Sequence, residues 1–440
     1  MEDTWQKPEA KYNVFRKAGT HAKAEMSLIQ HPSLEDCSCL WQVLSFLEVI
    51  NADKIGYQVM QSKFLKITFL VGLALAGILA LTIIPQLELP SPTGPYVVGQ
   101  TVFRWVDTSR PELMTEDLDD FREVIAFIWY PAEPGTGTKS PYFPGLSTVS
   151  KERAGSGEVE WWEIVGLQFI RSQNQLDAEL AEGSTPYPVI IFSPGNGTNI
   201  EFYTSLASEI ASHGYIVVGL NHPYDVAAVE LSNREVAPYD KDQWLLGPSA
   251  HQAYTAQRMK VRTADVLFAF DQLESLNSRV DNSFMGRLDL ESVAVAGHSL
   301  GGIAASEACK ADTRFRACLN FDGLQRGGPF SMEESALLPE QPFIFITKES
   351  ELHPVLIERF ESMPESYWVV VHGASHASFT DGPLLQPSLS PSPNPADQIM
   401  VLIQKYTVAF LDQTLKGQPG NLLAQSVHEQ DVSVEVYPSN

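Results

Sequence analysis

The run VAVAGHSLGGIAASEACKA, residues 293–311, constrains the fold more than any other part of the chain. A β-type segment, Ser292–Ala296, enters Gly297-His298-Ser299-Leu300-Gly301 and leaves it as the helical pattern Ile303–Ala311. A G-x-S-x-G motif between a strand and a helix is a turn so tight that the positions flanking the serine must lack bulk. It lifts the Ser299 hydroxyl above the end of a sheet, over the positive end of the helix that follows. Such a turn needs strands and helices in alternation, and the rest of the sequence supplies them. Val97–Trp105 and Glu123–Tyr130 are β-rich; Pro188–Ser193 (PVIIFS) is a short apolar strand before the helical pattern Glu201–His213; Tyr215–Leu220 (YIVVGL) is the next strand. The amphipathic stretch Gln252–Leu276 leads to Ser292–Ala296, and Arg316–Phe321, Phe343–Thr347 and Tyr367–Val371 follow. A last helix, Ile399–Leu415, comes after the proline-rich SLSPSPNPAD segment. Apolar strands alternating with helices make parallel pairs buried on both faces. The predicted class is α/β, a mostly parallel central sheet covered by helices on both faces.

Composition removes several functions. Fifty-four Asp and Glu against 30 Lys and Arg give a net charge of −24, which repels nucleic-acid phosphates and anionic lipid headgroups alike. No nucleic-acid partner is expected. Cys37, Cys39, Cys309 and Cys318 are too few for a disulfide scaffold, and no C-x-x-C pair or Cys/His cluster marks a metal site. The fold is therefore expected to be held by its core, without metal or cofactor. At 44% hydrophobic and 19% charged residues over 440 positions, the chain has the material for one.

Ile67–Ile84, ITFLVGLALAGILALTII, carries no charge and follows Lys63 and Lys66. As a helix that length spans a bilayer; the run is apolar all round, and PQLELPSPTGP behind it reads as a linker. The reading is one N-terminal transmembrane or signal-anchor helix, with the membrane as a partner through 67–84. Basic residues before the span keep the first 66 residues cytoplasmic and send the large C-terminal part across, or into the medium if the anchor is cleaved. The segment from Met60, MQSKFLK, has the basic, apolar, polar layout of a signal sequence of its own, so Met60 is an alternative start. Residues 1–66, Cys37-Ser-Cys39 included, show no motif to which a function attaches. They carry eight acidic and eight basic side chains, so the net charge lies wholly beyond them. The expected organisation is an N-terminal segment 1–66, the span 67–84, a linker 85–95 and an α/β domain 96–440.

Serine at its ordinary pKa is a weak nucleophile and needs a base, itself oriented by a carboxylate. With a turn of this kind the chain order is serine, acid, histidine. Beyond Ser299 stand His353, His372, His376 and His428. His376, in VVVHGASHASF, lies a few residues past an apolar strand, where a loop carries it back over the serine; His372 ends the strand and reads as structural. Two carboxylates are candidates for the acid. Asp322 follows the strand RACLNF with Gly323 to turn the chain, and is favoured; Glu349, after PFIFIT, is the alternative. Asp381, five residues beyond His376, reads as a solvated loop charge. An oxyanion needs two preorganised N–H donors, the loss of one costing roughly 3 kcal/mol. The Leu300 N–H is one, and the Asn196 N–H in the SPGNG turn, between Gly195 and Gly197, is the other. Asn196-Gly-Thr198 also spells a glycosylation sequon, but a tight loop over the site is a poor acceptor.

FSPGNGTNIEFYTSLASEIASHGYIVVGLNHP, then GHSLGG, then NFDG, then HASF, resembles the platelet-activating factor acetylhydrolase family in its plasma and type II intracellular branch, from near Val124 to near Leu411. The resemblance implies an α/β-hydrolase fold, Ser299 as nucleophile, Asp322 as acid in preference to Glu349, His376 as base, and Asn196 and Leu300 as oxyanion donors. Pro194 departs from the family, which typically has a histidine there, and SPG with ASHGY is also similar to bacterial polyester hydrolases and dienelactone hydrolase-like esterases. The expected function is a serine esterase acting on short or oxidised acyl chains of phospholipid-like esters. A broad carboxylesterase or polyester hydrolase is the alternative; an inactive binding protein is disfavoured, since all three triad members are present. Selectivity is expected in Tyr224–Pro248 and Leu146–Asn174, with Trp161 and Trp162 read as packing residues of a capping helix.

Overall fold

A computed structural model of the chain describes residues 65–75, 77, 88–146 except 118, 166–323 except 184, 339–349, 357–385 except 359, 362 and 364, and 395–437. The chain divides into two units, one comprising Leu87–Asn440 and Met1–Lys7, the other Pro8–Gln86. Of the second unit, residues 65–75 and 77 are described; they are helical and exposed. Among the described residues no helix is long and apolar enough to cross a membrane. Most of the segment 1–66, residues 76 and 78–84 of the expected span, His353, Trp161 and Trp162 lie outside the described residues.

The first unit is one twelve-stranded sheet with helices on both faces. It opens with a long hairpin, β1 (Val97–Pro111) paired antiparallel with β2 (Phe121–Ala132), and the short strands β3 (Thr138–Pro141) and β4 (Arg171–Leu176) extend that edge. β5 (Tyr187–Ser193), helix α1 (Thr204–Ser212) and β6 (Ile216–Asn221) form the first parallel crossover. A small hairpin of β7 (Ala228–Glu230) and β8 (Val236–Pro238) precedes the 31-residue helix α2 (Pro248–Ser278). Then come β9 (Leu288–His298), α3 (Leu300–Ala311), β10 (Phe315–Phe321), β11 (Phe343–Lys348), β12 (Ser366–Val371), α4 (Pro395–Lys416), β13 (Val427–His428) and β14 (Val432–Tyr437). Across the sheet the order is β13-β14-β12-β11-β10-β9-β5-β6-β2-β1-β4-β3, parallel from β6 through β12.

Side chains of a strand alternate between faces, and here both faces are dry. Val189 and Ile191 of β5, Val293 and Val295 of β9 and Phe343 and Phe345 of β11 pack under Met259, Val266 and Phe270 of α2 and Ala304, Ala305 and Ala308 of α3. Their neighbours Ile190, Phe192, Ala294, Ala296, Ile344 and Ile346 face the other way, onto Leu206 and Ile210 of α1 and Ile403, Phe410 and Leu411 of α4. Each Val, Leu, Ile, Met or Phe among them contributes about 1.5–3 kcal/mol on burial. The apolar runs are therefore legible as central strands. One expectation needs correction: the core is not the only tie. Cys309 at the end of α3 and Cys318 in β10, both fully buried, are joined by a disulfide.

Candidate active site

The strand β9 carries the chain to His298, and Ser299 turns it with φ 55° and ψ −122°, a backbone conformation that non-glycine residues rarely adopt. The neighbouring glycines are required by contact. A Cβ at Gly297 would stand 2.2 Å from the Gly301 carbonyl oxygen, and one at Gly301 would stand 2.1 Å from that of Ser193. The strained turn is held by the Ser299 N–H donating to the Phe321 carbonyl, and by the Gly302 and Ile303 N–H groups donating to the Ser299 carbonyl.

Asp322 leaves the end of β10, also at positive φ (51°), with its own N–H donated to the Ile346 carbonyl of β11. Its carboxylate is buried, and Oδ2 accepts from His376 Nδ1 at 2.6 Å. His376 Nε2 stands 2.9 Å from Ser299 Oγ. The three side chains thus form one hydrogen-bonded line across the C-terminal ends of the parallel strands. Glu349, the alternative acid, lies elsewhere: it is 66% exposed and its Oε1 meets His372 Nδ1 at 2.9 Å, while His372 Nε2 reaches Ser433 Oγ. His428 pairs with Glu435 at the surface. The geometry brings Ser299, Asp322 and His376 together and leaves Glu349 out. It can move the Ser299 proton onto Nε2 while the carboxylate holds Nδ1–H.

His298 lies under the site with its ring centroid 4.5 Å from that of His376 and 5.6 Å from that of Phe379. Burial, reinforced by the neighbouring His376, pushes its pKa down to about 3, so His298 stays neutral. The loop Pro194–Thr198 passes against the elbow, where a Cβ at Gly195 would stand 3.5 Å from Ser299 Cβ. Asn196 Nδ2 donates to Tyr239 Oη and Gln243 Oε1, drawing the side chain toward the wall made by the turn Lys241–Leu245. On that wall Trp244 and Leu245 are 61% and 62% exposed.

Beneath this loop lies a cluster of buried ions that pattern reading did not find. Arg258 grips Asp225 through two hydrogen bonds, and Arg262 Nη1 donates to the Pro194 carbonyl at 2.7 Å. Burial raises the Asp225 carboxyl, but the Arg258 and Arg262 charges outweigh it and hold it below the usual range. Asp265 is treated likewise: burial opposes ionisation, and Arg122 and Arg110 hold the group well below the usual range. His222 bridges Asp265 Oδ2 and Ser193 Oγ, and burial pushes its pKa down to about 4. Buried ions must be paired; these are paired with one another and with the backbone carbonyls of Pro194 and Pro223. The available signal was Arg258, Arg262 and Asp265 on one stripe of a helix whose other buried positions, Thr255 apart, are apolar.

Asp381 is a correction. It is fully buried, not solvated, and receives the Tyr142 hydroxyl at 3.1 Å and the Ser205 N–H at 3.2 Å in the first turn of α1. Burial raises its pKa to about 7. It pins the loop that carries His376 to the start of α1. Among the described residues no group of His, Cys, Asp and Glu could hold a metal ion.

A serine set in a strained elbow on a mostly parallel, helix-covered sheet, with a histidine at hydrogen-bond distance, defines the α/β-hydrolase class of serine esterases. The fold is shared with the ferulic acid esterase from Streptomyces cinnamoneus, at a TM-score of 0.59 and 24% identity over 77% of this chain and 96% of that one. The model of the family described as platelet-activating factor acetylhydrolase, isoform II matches residues 81–417, and the chain belongs to that family. It is 26% identical to the platelet-activating factor acetylhydrolase of Cavia porcellus over 77% of this chain and 80% of that one. It is 25% identical to the Bos taurus protein of the same name over 78% of each. A probable 1-alkyl-2-acetylglycerophosphocholine esterase of Arthroderma benhamiae is 28% identical over 56% of this chain and 62% of its own.

Proposed function

We propose that the chain is a metal-independent serine esterase that removes short or oxidised acyl chains from phospholipid-like esters. The observation that carries the reading is the line from Ser299 Oγ through His376 to the buried Asp322 carboxylate. Ser299 Oγ attacks the ester carbonyl as His376 Nε2 takes its proton, and Asp322 stabilises the imidazolium so formed. The oxyanion accepts from the Asn196 and Leu300 N–H groups. The C–O bond then breaks, the alkoxide leaves with the proton from Nε2, and water deacylates Ser299 by the same route. The relatives' names support the acetylated glycerophosphocholine class of substrate.

The catalytic domain is residues 96–440, behind a linker 85–95, and 67–84 serves as signal anchor, with catalysis outside the cytoplasm. Support comes from the charge-free run itself and from the Cys309–Cys318 disulfide, since such bonds persist in oxidising compartments. The test of the chemistry is Ser299→Ala, which should abolish hydrolysis of acetyl-phospholipid vesicles and covalent labelling by a fluorescent phosphonate while leaving the circular dichroism spectrum unchanged. Labelling that persists in the alanine variant would overturn the nucleophile.

A further inference from the structure

We infer that Tyr203 is a positioning residue that aims the Asn196 N–H at the oxyanion and ties the oxyanion loop to the loop of His376. The inference rests on the esterase reading above and on Asn196 as a donor. The oxyanion loop is fixed peptide by peptide. The Pro194 carbonyl accepts from Arg262 Nη1 at 2.7 Å, the Gly195 N–H donates to Tyr203 Oη at 2.9 Å, and the Gly197 N–H donates to the Asp225 carbonyl at 2.8 Å. The Pro194–Gly195 peptide is therefore held at both ends, from α2 on one side and from the segment before α1 on the other. Between these fixed points the Asn196 N–H has no acceptor among the described residues, and the Asn196 side chain is drawn off toward Tyr239 and Gln243.

The Tyr203 hydroxyl has a defined role because its bonds to Gly195 and His298 are defined, with the Thr198 side chain standing beside it. Burial raises the phenol far above its ordinary pKa, so the group stays protonated. It accepts from Gly195, which leaves its own proton for His298 Nδ1 at 2.9 Å. His298 is neutral and can accept it, and the His298 ring lies against His376 and Phe379. One hydroxyl thus sets the distance between the donor loop, the elbow and the base. Packing alone does not ask for it, because the ring contact with Phe192, 5.0 Å between centroids, is available to phenylalanine as well.

Tyr203→Phe removes the hydroxyl and keeps the ring. Deleting an oxyanion donor costs about 10²–10³ in kcat; misaiming one is expected to cost about 10–100-fold. The measurement is kcat per active site, with sites counted by the burst from a p-nitrophenyl phosphonate, alongside KM and the inhibition constant of a trifluoromethyl ketone whose tetrahedral adduct fills the oxyanion hole. The expected result is a lower kcat per counted site, KM within about threefold, and ketone affinity weakened in proportion to kcat. Unchanged kcat per site and unchanged ketone affinity would make Tyr203 a packing residue and overturn the inference. If the phenylalanine variant does not fold, 3-fluorotyrosine placed at 203 weakens the acceptor without a cavity, and the same two constants decide. A parent enzyme that neither burst-titrates nor hydrolyses acetyl esters would instead remove the esterase reading beneath it.

Discussion

Replacing Asp322 by Asn is the sharpest test of how the site works. The substitution keeps the shape of a buried side chain and exchanges a carboxylate oxygen for an amide at the atom that accepts from His376 Nδ1 at 2.6 Å. An amide N–H turned toward Nδ1 requires that nitrogen to be the acceptor, which moves the ring proton to Nε2. Nε2, 2.9 Å from Ser299 Oγ, then cannot accept the serine proton, and the imidazolium formed in attack loses its counter-charge. Loss of that role costs about 10⁴-fold in turnover, or about 5.4 kcal/mol of barrier at 1.36 kcal/mol per decade. Glu349→Gln is the control. Its partner is the half-buried His372, Glu349 itself is exposed, and a pair so open to solvent contributes at most about 1 kcal/mol of stability. The assay is kcat and KM on a short-chain p-nitrophenyl ester, with thermal unfolding to show that both variants fold. The reasoning fails if the glutamine variant is the crippled one and the asparagine variant keeps its turnover.

The raised pKa of Asp381, about 7, means that the folded state holds this proton more tightly than the unfolded chain. Its stabilising contribution is full below about pH 4 and is lost as pH rises toward 7, so Asp381→Asn should gain about 2–3 kcal/mol relative to the parent between pH 5 and pH 7 and nothing further above it, read by denaturant unfolding; a pH-independent difference would refute the burial argument. Cys309→Ala with Cys318→Ala should lower stability by about 2–3 kcal/mol, the loop-closure value for a short loop, with kcat per active site unchanged. EDTA dialysis should leave turnover unchanged, because the described residues hold no ligand cluster; activity lost to EDTA and restored by zinc or calcium would refute this.

The central strands were legible because a strand buried on both faces must be continuously apolar, as PVIIFS, YIVVGL and PFIFIT are. The elbow was legible because its glycines are dictated by contacts of about 2 Å. Where a polar residue is buried by partners distant in sequence, pattern reading has nothing to hold. Asp381 looks like any loop carboxylate until Tyr142 and Ser205 close on it, and Tyr203 like any aromatic until its hydroxyl is placed. The edge strands β13 and β14 were missed because their outer residues are polar and mixed, and the Cys309–Cys318 pair because sequence spacing does not bring a helix end onto a strand.

The pairing of β14 with β12, residue by residue from Ser366–Tyr437 to Val371–Val432, continues in the His372 N–H donating to the Asp431 carbonyl, four residues before His376. The serine and the acid are made long before this strand, yet the histidine loop is seated by it. At about 5–20 residues added per second, the stretch from Ser299 to Tyr437 takes roughly 7–28 s to synthesise. Throughout that interval a nascent chain carries Ser299 without the strand that seats the loop of His376. The order of the strands therefore sets an order of assembly: the strand that seats the loop of His376 is made after every other segment that meets at Ser299.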